Sequence, residues 1–140
     1  MPRLARWAVR LALLYLAAGA TLGAASLLQK ARGEPLDPRW TALHAELLLL
    51  GWVAQFVFGV AFWILPRFLA TRPRGHTAPA AAALACLNAG LLLAALDAAR
   101  PAPALALAAR TLELVAALAF ALHAWPRVLR AGRIPRPPQS

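Results

Sequence analysis

Four long apolar blocks make up most of the chain, separated by short clusters rich in arginine, proline and glycine. Each block approaches or exceeds the roughly 20 residues that a helix needs to cross the hydrocarbon core of a bilayer. Hydrophobic residues form 61% of the sequence, and the blocks lack the polar face of a helix in a soluble bundle. The sequence therefore predicts an all-α integral membrane protein, a four-helix bundle in a lipid bilayer.

The predicted spans cover residues 4–28, 38–65, 79–99 and 103–125, within one transmembrane domain of residues 1–128. Asp37 and Pro38 open the second span, because aspartate is a good N-cap and proline suits the first helical turn. This span would be about 42 Å long at about 1.5 Å per residue, so we expect it to tilt or protrude. Residues 129–140 are basic and proline-rich, and predict an extended or disordered tail.

Arginines are distributed unevenly between the two sides of such a topology. The side with both termini and the second loop carries Arg3, Arg6, Arg10, Arg67, Arg72, Arg74, Arg127, Arg130, Arg133 and Arg136. The other side carries Lys30, Arg32, Arg39 and Arg100, diluted by Glu34, Asp37 and Asp97. The positive-inside rule then places both termini in the cytoplasm of a bacterial or archaeal cell, with the chain in its cytoplasmic membrane. The net charge of +10 forms no continuous basic stripe, so nucleic acid is not a predicted partner.

Polar and ionisable side chains lie inside the predicted spans, where each costs free energy and needs a partner. Counted along the helices, three of them reach similar depths in the outer half of the membrane: His44, Arg110 and Glu113. Glu46 is level with these but nearly opposite His44 on its own helix. Asn88 lies near the middle of the third span.

Two interpretations of this belt remain open. In the first it is a structural network, in which Arg110 pairs with a carboxylate and holds the helices in register. The candidates for that carboxylate are Glu46, Asp97 and Glu113. In the second interpretation it is a haem site, because a neutral imidazole is a good iron ligand and an arginine can pair with a haem propionate.

The face of the second span that carries His44 also carries Gly51, Gln55 and Phe62 at near-helical spacing. A glycine at such a place lets a flat macrocycle, or another helix, approach the backbone closely. The spacing does not choose between the two.

Residues 43–68, LHAELLLLGWVAQFVFGVAFWILPRF, resemble the second transmembrane helix of haem–copper oxidase subunit I. They are more similar still to small four-span proteins described as oxidase-subunit-I-like. The matching residues are His44, Leu49, Leu50, Gly51, Trp52, Gly59, Leu65, Pro66 and Arg67. Two positions depart from the pattern, since Glu46 and Trp63 stand where these small proteins often have histidines.

The resemblance implies that His44 is the axial ligand of a haem b on the outer side of the membrane. The predicted site comprises His44 as the metal ligand, with Arg110, Gly51, Gln55 and Gly59 as further cofactor-binding residues. His123 is predicted at the inner end of the fourth span, too far from His44 to share one iron. A second axial ligand would then come from another copy of the chain or from a partner protein, unless the haem is five-coordinate.

The expected function is a haem b-binding membrane protein related to haem–copper oxidase subunit I, in electron transfer or in gas or haem handling. Oxidase activity is not expected, because three scattered histidines cannot build a copper site. The expected partners are a second copy of the chain or a larger respiratory complex. The alternative is a haem-free accessory subunit of a respiratory oxidase or nitric oxide reductase. Cys86, the single cysteine, predicts neither an internal disulfide nor a cysteine-cluster zinc site.

Overall fold

The computed structural model describes residues 2–64 and 77–131. These residues form four helices and no strand: α1 (Arg3–Ala31), α2 (Pro38–Ile64), α3 (Ala78–Ala99) and α4 (Pro103–Ala131). Each helix is long and apolar enough to cross a membrane. The prediction of an all-α protein with four candidate spans is therefore confirmed. The tail beyond residue 131 and most of the second loop, with His76 and the Leu65–Arg67 part of the motif, lie outside the described residues.

A proline occurs in the first turn of α2, and another occurs inside α4. The Asp37 carboxylate accepts a hydrogen bond of 2.9 Å from the Arg39 backbone N–H, and Pro38 occupies the first turn, so the predicted N-cap is confirmed. The Arg39 guanidinium also binds this carboxylate, which holds the pKa of Asp37 below its ordinary value. Helix α4 continues through Pro126 to Ala131, although an interior proline removes one N–H donor and crowds the carbonyl four residues earlier.

The middle of α2 is wider than an α-helix. Residues Leu47–Ala54 form a π-helical segment between the α-helical pieces Pro38–Glu46 and Gln55–Ile64. The Gln55 N–H accordingly donates to the carbonyl of Leu50, five residues earlier. Such segments are rare and are frequent at functional sites. Here the segment lies between the polar residues in the N-terminal part of α2 and the buried Gln55.

Small residues allow α1 and α2 to pack closely. Four buried residues of α1 form a stripe of alanine and glycine: Ala5, Ala8, Ala12 and Gly19. A Cβ built on Gly59 of α2 would lie 3.0 Å from the Cβ of Ala8 and 3.3 Å from the carbonyl oxygen of Ala5. Close backbone approach through small residues is how helices associate where no hydrophobic effect drives them together.

Helices α3 and α4 pack closely along their lengths and contribute much of the core. The main core cluster includes Leu87, Leu91, Ala94, Ala98, Ala109 and Ala116, together with Leu43 and Leu47 of α2. Phe58 of α2 stacks on Phe120 of α4 with ring centroids 3.9 Å apart, which ties the two helix pairs together. Large apolar side chains such as Leu14, Leu49, Leu92, Leu107 and Leu122 remain exposed, as lipid-facing residues would be.

Candidate functional site

His44 packs on the C-terminal half of α1 and is held there by one hydrogen bond. Its Nδ1 lies 2.7 Å from the backbone carbonyl oxygen of Gly19. A carbonyl oxygen can only accept, so Nδ1 must carry the proton and donate it. Nε2 then keeps its lone pair, and among residues 2–64 and 77–126 it has no hydrogen-bond partner. A backbone carbonyl that fixes the histidine tautomer in this way is a common feature of metal-ligating histidines.

Gly23, one turn beyond Gly19, makes room for the imidazole. A Cβ at Gly23 would lie only 2.6 Å from Cε1 of His44 and 3.3 Å from its Nε2. Gly19 therefore binds the imidazole through its carbonyl oxygen, and Gly23 leaves space for the ring.

His44 is partly exposed and lines an open groove of about 570 Å³ between the C-terminal end of α1 and the N-terminal end of α2. This volume falls within the range of about 300–1,000 Å³ that is typical of small-molecule and cofactor sites. Its lining consists of Ala20, Gly23, Ala24, Ser26, Leu27, Lys30, Leu36, Thr41 and His44. The wall is mainly apolar or small, and Lys30 is its one ionised cationic side chain.

Helix α1 covers most of the side of α2 that carries His44, Gly51 and Gln55. A Cβ on Gly51 would lie 2.7 Å from Cγ of Tyr15, and Gly59 contacts α1 as described above. Gln55 is fully buried, and its amide nitrogen donates to the carbonyl oxygen of Ala8 at 3.4 Å. Another helix, α1, therefore approaches at these glycines. The face stays open only where His44 borders the groove.

Three polar side chains are connected near the middle of the spans. The Tyr15 hydroxyl donates to Oδ1 of Asn88 at 2.9 Å, and Nδ2 of Asn88 donates to Oε1 of Gln55, also at 2.9 Å. Asn88 donates further to the carbonyl oxygen of Leu84 on its own helix. The chain of bonds links α1, α2 and α3, so these side chains satisfy one another and the predicted cofactor-binding residue Gln55 has a structural role.

Arg110 contacts two carboxylates. Nη2 of Arg110 donates to Oε2 of Glu46 at 2.7 Å, and Nη1 donates to Oε2 of Glu113 at 2.9 Å. Nη1 also lies 2.6 Å from Oε1 of Glu46. The side chain of Arg110 is 55% exposed, whereas those of Glu46 and Glu113 are 8% and 10% exposed. The structural network proposed for Arg110 is thus present, with Glu46 and Glu113 as its partners.

The remaining polar residues of the spans have their own environments. Oδ1 of Asp97 accepts from the backbone N–H of Ala102 and closes the turn between α3 and α4. His123 is buried, and its ring lies 5.6 Å from that of Phe62 between centroids. Among the described residues, no three His, Cys, Asp or Glu side chains lie close enough to hold a metal ion together.

Sequence reasoning identified His44, Asn88 and the charged belt, but it missed Tyr15, Gly23 and Lys30. Tyr15 carried a usable signal, because the one tyrosine of the chain lies inside a span, where its hydroxyl needs a partner. Gly19 and Gly23 are spaced four residues apart, as in helix-packing motifs. No protein family, curated protein or solved structure matches this chain.

Proposed function

We propose that this chain is a haem b-binding protein of the bacterial or archaeal cytoplasmic membrane, active in electron transfer or in gas or haem handling. The observation that carries the proposal is the state of His44: its Nδ1 proton is bound to Gly19, its Nε2 is unpaired within the described chain, and it borders an open groove. Bound haem would supply a redox-active iron. The protein's own part is to present Nε2, to fix the ring and to shield one face of the macrocycle.

Lys30 is the residue best placed to hold a haem propionate. It lies at the outer end of α1 on the same groove as His44, and its ammonium group is free to pair with a carboxylate. Arg110 is less suited, because its guanidinium already contacts Glu46 and Glu113. This assignment replaces Arg110 by Lys30 in the proposed site and leaves Gly51, Gln55 and Gly59 to the packing of α1.

The proposal predicts a haem spectrum that depends on His44. Protein purified in detergent from haem-replete cells is expected to show a Soret band, and His44→Gly should lose it while keeping the helical circular dichroism. Added imidazole should restore part of the band, since it can enter the space left by the side chain. His123→Ala serves as the histidine control and should retain haem. A Soret band unchanged in His44→Gly would overturn the proposal.

Lys30→Ala should retain the band but release haem more readily. An exposed ion pair is worth up to about 1 kcal/mol, so roughly two- to fivefold weaker retention is expected against apomyoglobin as acceptor. Arg32→Ala is the matched control, because Arg32 is a cation at the same end of α1 that does not line the groove. A colourless wild-type protein that co-purifies with a large respiratory complex would favour the haem-free accessory subunit instead.

We also propose that both termini face the cytoplasm, on the strength of the arginine distribution. In a Cys86→Ala background, Glu34→Cys should react with a membrane-impermeant maleimide in intact cells. Ser140→Cys should react only after the cells are opened. Labelling of Ser140→Cys in intact cells, with Glu34→Cys protected, would show the opposite orientation.

A further inference from the structure

We infer that an exposed face in the N-terminal part of α1 binds an anionic phospholipid, with the lipid phosphate on arginine side chains and the acyl chains on the apolar residues that follow. The face carries Arg3, Arg6, Trp7 and Arg10, and we call it the arginine face of α1. This lipid site is separate from the proposed haem site and does not depend on which way the chain is oriented in the membrane.

The three arginines lie on one side of the helix. They are spaced three and four residues apart, a spacing that makes side chains neighbours on a helical surface. All three are exposed, whereas Ala5 and Ala8 on the opposite side of the same turns are buried against Gly59 of α2. The guanidinium groups are therefore presented to the surroundings of the bundle and not to its interior.

No carboxylate neutralises the arginine face within the described chain, where the ion pairs involve only Arg39 and Arg110. The acidic residues lie toward the opposite end of the helices: Glu34, Asp37, Glu46, Asp97 and Glu113. Three neighbouring cations without an acidic partner favour a ligand that carries negative charge. A zwitterionic headgroup suits them less well, because its own ammonium group is repelled.

The arginine face ends where the apolar part of α1 begins. Residues 11–28 carry no ionised side chain, and they would extend over about 27 Å at about 1.5 Å per residue, close to the roughly 30 Å of the hydrocarbon core. Arg3, Arg6 and Arg10 therefore lie along about 10 Å of helix on the polar side of this boundary. Lipid phosphates occupy that layer of a bilayer.

Trp7 orders the deepest of the three cations. Cζ of Arg10 lies over the indole, 5.8 Å from the ring centroid, a distance at which a guanidinium is attracted to an aromatic face. Side chains on a helix lean toward its N-terminus, so the Arg10 guanidinium is directed out of the hydrocarbon and toward the headgroups. Tryptophan is itself enriched at this depth of a membrane.

Exposed apolar residues continue the face beyond the arginines. Leu13 and Leu14 are 52% and 65% exposed, and Ala17 on the same side is exposed as well. A phospholipid has the same order of properties, with a phosphate followed by acyl chains. A soluble acidic protein could reach Arg3, but it could not follow the face to Leu14 inside the hydrocarbon. The combination of cations and exposed leucines therefore favours a lipid as the occupant.

Native mass spectrometry of the detergent-purified protein tests the site, because it measures the binding of single lipid molecules. We expect phosphatidylglycerol to bind more tightly than phosphatidylcholine with the same acyl chains. Each arginine near an anionic lipid contributes roughly fivefold in affinity, so Arg6→Gln/Arg10→Gln should reduce this preference by roughly tenfold or more. Circular dichroism should show unchanged helical content, because both side chains are exposed.

Arg32→Gln/Arg100→Gln is the matched control, since it removes two exposed cations from the opposite end of the helices, and it should keep the preference. An equal loss in both double variants would overturn the inference, as would a wild-type protein that binds the two lipids alike. Inorganic phosphate at the concentration of the lipid should not compete, because it lacks acyl chains. Displacement of the lipid by an acidic peptide at that concentration would overturn the inference and assign the face to an acidic protein.

Tryptophan fluorescence in mixed bilayers locates the bound lipid. A His44→Gly background removes any haem that would absorb the emission, and the difference between Trp7 and Trp7→Phe proteins isolates the signal of Trp7. Brominated phosphatidylglycerol, diluted in phosphatidylcholine, should quench Trp7 more strongly than the same fraction of brominated phosphatidylcholine. Arg6→Gln/Arg10→Gln should abolish this difference, whereas equal quenching of Trp7 by the two lipids before that change would contradict the inference.

Discussion

Gly51→Val is expected to destabilise the folded protein by about 3 kcal/mol, near the upper end of typical overpacking costs. The reason is the contact between α1 and α2: a Cβ at Gly51 would lie 2.7 Å from Cγ and 2.8 Å from Cβ of Tyr15. These atoms are at the base of the tyrosine side chain, so rotation of the ring does not remove the clash. The helices must separate, which also strains the hydrogen bond from Tyr15 to Asn88.

Unfolding by sodium dodecyl sulfate, followed by circular dichroism, would measure this loss. Ala45→Val is the matched control, because Ala45 is exposed on the same helix and should tolerate the same side chain at little cost. The double variant Tyr15→Ala/Gly51→Val should lose less stability than the sum of its singles, by about 1 kcal/mol, because alanine removes the contacts with the tyrosine ring although it keeps the one with Cβ. Strict additivity would show that Gly51 does not contact Tyr15.

The helices could be predicted because the hydropathy pattern extends over 20 or more residues. A single polar residue within such a span does not hide the pattern. The segments between the helices are rich in arginine, proline and glycine. Arginine is costly to bury in lipid, and proline and glycine interrupt a helix. The extension of α4 past Pro126 to Ala131 was not predictable in the same way. Proline weakens one turn of a helix, and whether the helix continues depends on the residues beyond it.

The π-helical segment Leu47–Ala54 could not be predicted from the sequence. Its residues are almost all large and apolar, so no polar position reveals how many residues make a turn. The sequence placed His44, Gly51, Gln55 and Phe62 on one face of α2, and in the structure the first three lie against α1. What the spacing did not give was the neighbour of that face, because Ala5, Ala8 and Tyr15 of α1 are distant in sequence.

Only part of the candidate site could be predicted, because some of its residues are recognisable by their own chemistry and others only by the packing of the helices. His44 was found because an imidazole in a span is rare, and the need of Arg110 for a carboxylate follows from its charge. Lys30 was missed because a lysine at a helix end is the expected snorkelling residue and attracts no attention. Its relation to His44 depends on the packing of α1 against α2, which residue counting along each helix does not reveal.

The two sides of α2 thus carry different chemistry. His44 faces α1 with an unpaired ring nitrogen near an open groove, while Glu46 faces α4 and its arginine. Residues two apart on a helix point in nearly opposite directions, so a single helix separates a proposed cofactor site from a charged network. Changes at one side are therefore expected to leave the other largely intact, which allows the two to be tested independently.

Arg110→Ala is expected to lower the free energy of unfolding by about 3 kcal/mol at neutral pH, the lower end of the cost of breaking a buried ion pair. The change leaves Glu46 and Glu113, whose side chains are 8% and 10% exposed, without the guanidinium that both contact. The lower end applies because Arg110 itself is 55% exposed and already partly solvated. Arg100→Ala, which removes an exposed cation at the same end of the molecule, should cost less than about 0.5 kcal/mol.

Two rescues separate loss of charge balance from loss of packing. Acidic pH should recover much of the stability of Arg110→Ala, because both carboxyl groups then become neutral. The triple variant Glu46→Gln/Arg110→Ala/Glu113→Gln should recover it at neutral pH for the same reason. If Arg110 instead holds a haem propionate, as the sequence first indicated, Arg110→Ala would release haem and unfold like Arg100→Ala. Retained haem in a destabilised protein would therefore assign the guanidinium to the two glutamates, and released haem in a stable protein would assign it to the cofactor.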